Sequence, residues 1–141
     1  MFGITCLTKW IYYYTGFDLN LIGQQYAKTL LSTNQNTFTP INFDVAVKSD
    51  FSVAAMVLSD STGKIIHAAT KRLSTTDSAI GEAQAALLAC KTTTSLGIYS
   101  LLLEGDAINI ILAIQQPSIF KFWNFASIIS DVNFHLLSLH S

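Results

Sequence analysis

Charge is what this chain has least of: charged residues make up 12% of its 141 positions, against 50% hydrophobic. Its mean hydropathy is +0.42. So apolar a composition excludes a chain disordered over most of its length, because disorder needs many charges and few apolar side chains. Such sparse charge also implies surface that something else covers. Eight basic and nine acidic residues leave a net charge of −1, and no basic cluster exceeds Lys71-Arg72. Nucleic acid is bound electrostatically through clustered Lys and Arg. Any nucleic-acid binding here is therefore expected to be weak or assisted by the substrate.

Cysteine is nearly absent too. Cys6 and Cys90 fit no metal or redox spacing. Cys90 falls on an apolar helix face, so a buried reduced thiol is expected there. A secretory leader is not expected either, because Lys9 follows Met1–Thr8 instead of preceding an apolar run, and no small-residue cleavage site comes after it. No stretch reaches the roughly 18 uninterrupted apolar residues of a membrane span. No membrane partner is expected, and an intracellular location follows by default.

What is present is one domain's worth of patterned chain. In Pro40 to Val47, Ile41, Phe43, Val45 and Val47 alternate with Asn42, Asp44 and Ala46, the period of a strand. A strand this apolar belongs in the middle of a sheet, where an ionised Asp44 is costly unless a cation or hydrogen bonds compensate it. Phe51 to Leu58 and Lys64 to Lys71 predict two more strands after short polar turns, giving an antiparallel meander. Capping residues from Ser74 to Ser78 precede a helix with Ala79, Ala83, Ala86, Leu87 and Cys90 on one stripe, ended by Gly97.

Tyr99 to Glu104 then predicts a fourth strand. A helix from Gly105-Asp106 to about Gln115 follows, with Asp106 placed as its N-cap, and a last one runs from about Trp123 to Leu137. Ahead of all this, residues 1–39 read as an N-terminal extension. Ile22, Tyr26 and Leu30 predict a short helix over Leu19 to Leu31, and a polar linker follows it. The domain proper is expected over residues 40–141, with the order βββαβαα and a mixed sheet.

A strand-borne Asp44, a helix-borne Glu82 and a strand-end Asp106 occur in that order. With them go Ile41-Asn42-Phe43-Asp44, Ser59-Asp60-Ser61-Thr62-Gly63-Lys64, Lys71-Arg72-Leu73, Glu82-Ala83-Gln84-Ala85-Ala86-Leu87-Leu88-Ala89 and Leu103-Glu104-Gly105-Asp106. Together these resemble the ribonuclease H fold, and more closely the plant-type RNase H-like domains found alone or downstream of retroelement reverse transcriptases. The resemblance implies an α/β fold: a three-stranded antiparallel meander, a parallel fourth strand and flanking helices. It also implies that Asp44, Glu82 and Asp106 hold two Mg2+ (or Mn2+) ions and hydrolyse the RNA strand of an RNA–DNA hybrid. Glu104 competes with Asp106 as the strand-end ligand, and the family pattern favours Asp106.

Three departures from the family accompany the matches, one of them the glycine-poor start of the second strand at Ser52-Val53-Ala54-Ala55. Val45 stands where the family has glycine after the first aspartate, which crowds the approach to the acids. The family continues into a fifth strand, a histidine-bearing loop and a fourth aspartate. No counterpart is found here, so the fifth strand is expected to be missing and the fourth to present an open edge. Asp131, His135 and His140 do not match the absent positions. His67 is expected to be half-buried and Trp123 to anchor the last helix. The alternative to a nuclease is a non-catalytic nucleic-acid- or protein-binding module, or a degenerate retroelement remnant.

Overall fold

Nine residues, Thr39–Val47, form the strand around which the sheet is built. In the computed structural model, which describes residues 27–31, 39–98 and 101–138, the strands are β1 (Ala27–Leu31), β2 (Thr39–Val47), β3 (Ser52–Ser59), β4 (Ile65–Leu73) and β5 (Leu101–Gly105). The helices are α1 (Ser78–Ser95), α2 (Ile108–Gln115) and α3 (Ala126–Ser138), with a 3-10 turn over Pro117–Phe120. Strand order across the sheet is β1-β5-β2-β3-β4.

Strands β2, β3 and β4 make the expected antiparallel meander, with Asp44 opposite Ala55 and Val57 opposite Ala68. Its second turn is closed by Asp60, whose Oδ1 accepts from the Thr62 and Lys64 backbone N–H groups at 2.9 and 3.0 Å. Gly63 takes the left-handed conformation there, φ 88°, which is nearly free for glycine alone. Strand β5 pairs parallel to β2, with Leu103 opposite Ile41 and Glu104 opposite Asn42. A parallel neighbour requires a crossover, and α1 supplies it.

Side chains alternate across β2. Val45 meets Gly81 of α1, so Ile41, Phe43 and Val45 face that helix and Asn42 lies on the other side of the strand. Ile41, Phe43, Ala54, Met56, Leu58, Leu101 and Leu103 are all essentially inaccessible on the helix side. Against them pack Ala83, Ala86 and Cys90 of α1, Ile111 of α2, and Phe125, Ile129 and Val132 on or just ahead of α3. The alanine stripe lets α1 approach the sheet closely. Phe43→Ala in such a core costs about 3–5 kcal/mol.

Helix α1 begins where its cap begins: Asp77 Oδ1 accepts from the Ile80 N–H at 3.0 Å. It ends at Leu96, followed by Gly97 at φ 71°, the left-handed residue that stops a helix. Cys90 is a free, fully buried thiol, as expected, and burial pushes it up to about 12, so it is inert. His67 is half-buried in β4. Trp123 is 48% exposed and no core residue. It nonetheless packs its ring 5.2 Å from Phe120 and 5.5 Å from Phe125, at the entry to α3.

Expectation and structure part at the N-terminal side. Ala27–Leu31 is a strand and not the end of a helix; Leu19 to Tyr26 lie outside the described residues. Ala27 sits opposite Gly105 and Leu31 opposite Leu101, antiparallel. The edge of β5 expected to be open is thus occupied by β1, and among the described residues the sheet has five strands. A five-residue segment carries too little pattern to outweigh unsatisfied backbone at a sheet edge. Among the described residues, no helix is long and apolar enough to cross a membrane.

Candidate metal centre

Each of the three acids arrives on a different element. Asp44 lies towards the end of β2, Glu82 in the second turn of α1, and Asp106 one residue past the end of β5. The parallel pairing of β2 with β5 puts the C-terminal ends of both strands at one edge. The Asp77 cap fixes the start of α1 beside that edge. One carboxylate oxygen from each of Asp44, Glu82 and Asp106 lies within 4.8 Å of the others. The sequence places them far apart; the fold brings them together.

Burial grades across the cluster. Glu82 is buried, Asp44 half-buried and Asp106 exposed. The Val45 N–H, between the strand and the helix, donates to Asp44 Oδ1 at 2.8 Å and to Glu82 Oε1 at 3.3 Å. Glu82 Oε2 is buried with no hydrogen-bond partner among the described residues. Burial, then the negative charges of Asp44 and Asp106, push the Glu82 carboxyl up to about 9. Burial and then Asp44 also raise Asp106. Three carboxylates cannot all ionise at this separation without a positive charge among them.

The donor set fits a hard divalent cation. Carboxylate oxygens are the ligands such ions take, with water or phosphate oxygen completing the shell. A buried carboxylate oxygen with no partner marks where one would bind.

Asp106 is not the helix cap the sequence predicts. Helix α2 starts at Ile108 with Ala107 at its N-cap and no side-chain cap, so the Asp106 carboxylate is left to the cluster. Glu104 lies within β5, buried, opposite Asn42, and is not among the three converging acids. Asn42 is 1% exposed, and neither its Nδ2 nor its Oδ1 has a hydrogen-bond partner among the described residues. Asp131 is exposed on α3.

The model of a family described as Reverse transcriptase-like matches residues 42–141. The chain belongs to that family. Ribonuclease H1 from the halophilic archaeon Halobacterium salinarum NRC-1 has a similar structure, with a TM-score of 0.57 at 14% identity. The match covers 72% of this chain and 75% of that one. No curated protein matches the sequence. The chain therefore carries an RNase H-like domain, with the meander and the parallel strand that the sequence resemblance implies.

In this RNase H-like domain, Val45 occupies the position after Asp44 and packs its branched side chain on α1 at Gly81. Neither Gly81 nor Gly105 stands out from spacing alone. The one signal for Gly81 in the sequence is a glycine early in an otherwise alanine-rich helix, a residue that weakens helices unless close packing requires it.

Proposed function

We propose that the domain binds nucleic acid and hydrolyses the RNA strand of an RNA–DNA hybrid in a reaction that depends on divalent cations. The observation that carries this reading is the convergence of Asp44, Glu82 and Asp106 within 4.8 Å, at the strand-end edge of an RNase H-like fold. Asp44, Glu82 and Asp106 are the residues that would hold Mg2+ or Mn2+. Held by those three carboxylates, divalent cations would supply a bound water of lowered pKa and stabilisation of the departing oxygen's charge.

The protein groups have separable tasks. Asp44, tied to the backbone by the Val45 N–H, is held in a fixed orientation. Glu82 keeps a proton when no cation is present, because its site is buried and already carries negative charge; ligation requires that this proton leave. Asp106, the exposed member, stands at the rim where a phosphate backbone would pass. Hydrolysis adds water across one phosphorus–oxygen bond, leaving a 3′-hydroxyl on one fragment and a 5′-phosphate on the other. No side chain acts as a covalent nucleophile.

The test is cleavage of a hybrid labelled on its RNA strand, with Mg2+ or Mn2+ and without, by the full chain and by Asp44→Asn. Cation-dependent cleavage that Asp44→Asn reduces by at least about 100-fold is expected, since removing one charged ligand weakens the cation site outright. Hybrid binding that survives Asp44→Asn, with no cleavage by either protein, would instead identify a non-catalytic binding module.

A further inference from the structure

Two contacts beside the acids share one form. A Cβ at Gly81 would lie 2.8 Å from Val45 Cγ2, 3.3 Å from Cγ1 and 3.4 Å from Cβ. A Cβ at Gly105 would lie 2.5 Å from Phe43 Cζ, with two more ring carbons at 2.7 and 2.9 Å. Gly81 immediately precedes Glu82, and Gly105 immediately precedes Asp106. Val45 and Phe43 are the two neighbours of Asp44 in β2. Glu82 and Asp106 are thus each preceded by a glycine seated on a side chain that flanks Asp44, the third acid.

We propose that Val45–Gly81 and Phe43–Gly105 are size-matched positioning pairs, setting the distance of α1 and of the end of β5 from Asp44. This deepens the cation-site reading and rests on it. A helix glycine gives up helix propensity, and neither Gly81 nor Gly105 has a positive φ, so backbone freedom does not explain them. Close approach does. Val45 is β-branched and stiff at χ1, and the Phe43 ring is inaccessible in the core; neither can yield without moving the backbone that carries an acid. Without the glycines, α1 and the β5 end would stand away from β2, and the shared Val45 N–H could not reach Glu82 Oε1 at 3.3 Å.

The test is a matched set: the full chain, Gly81→Ala, Val45→Ala and the Val45→Ala/Gly81→Ala double variant. Mn2+ affinity is measured by titration calorimetry, and the amide resonance of residue 45 by NMR without metal. The pair predicts that Gly81→Ala weakens Mn2+ binding about 10-fold or more and shifts the residue 45 amide. In the Val45→Ala background the same change should do neither, because the added Cβ then has room. Gly81→Ala that raises the melting temperature and leaves both readouts alone would overturn the proposal. So would a defect of equal size in both backgrounds.

If Gly81→Ala fails to fold, Gly105→Ala with and without Phe43→Leu asks the same question of the second pair, with the Asp106 amide as reporter. Should the amide shifts follow the predicted pattern while none of the proteins binds Mn2+, the positioning pairs stand and the cation reading falls.

Discussion

Among the described residues, Glu82 carries the largest electrostatic shift. Its carboxyl is raised from 4.5 to about 9, by burial first and then by the charges of Asp44 and Asp106. Between those two values the folded state holds a proton that the unfolded chain has released. Stability from this group is therefore fully present below about pH 4.5 and is lost as pH rises towards 9, by up to about 1.4 kcal/mol per pH unit. Asp106, raised by burial and Asp44, adds in the same direction. Urea melts of the metal-free protein should show stability falling across that window, and Glu82→Gln should flatten the fall. A divalent cation competes with the proton, so its stabilising effect should instead grow with pH. Thermal melts with and without Mg2+ at about pH 6 and about pH 8.5 check the sign.

Two elements steady the framework that carries the acids. Helix α1 is anchored by Asp77, which caps Ile80 and also accepts from Asn124 Nδ2 at 3.3 Å. Asp77→Ala should cost about 1 kcal/mol, read as a melting point lower by about 3–4 °C. Strand β1 covers the edge of β5. In a strand, successive N–H groups point to opposite sides, so of Thr29→Pro and Leu30→Pro only one removes a bond to β5. That one should destabilise the protein by about 1–3 kcal/mol and promote association through the bared edge, while the other is milder. Paired melts and light scattering separate them.

This element was not legible in the sequence. Tyr26 and Leu30 sit at helical spacing, and only the empty edge of β5 selects the strand. The meander was legible, because alternation and two polar turns state it locally. Asp106 shows the opposite failure: a good cap residue at the right place, displaced from that role because α2 starts at Ile108.

At the scale of the whole molecule, the low charge content now has a location. Ile119, Phe122, Phe134 and Leu137 remain 63–90% exposed on the 3-10 turn, just after it and on α3, the kind of apolar surface the composition implied. The site was legible in part, since an aspartate within an apolar strand is hard to explain as structure, and its partners followed from a family resemblance. Nothing in the sequence told that Gly81 meets Val45 or that Gly105 meets Phe43, because such contacts exist only after α1 and β5 return to β2.

The measurement that bears most directly on the convergence of the three acids is paramagnetic broadening by substoichiometric Mn2+ in the amide spectrum. Resonances of residues 44–45, 82–83 and 106–107 should fade together and first, saturably, and should persist in Asp44→Asn. Fading spread over the exposed acids Asp50, Asp77 and Asp131, unchanged by that substitution, would contradict a single cation site.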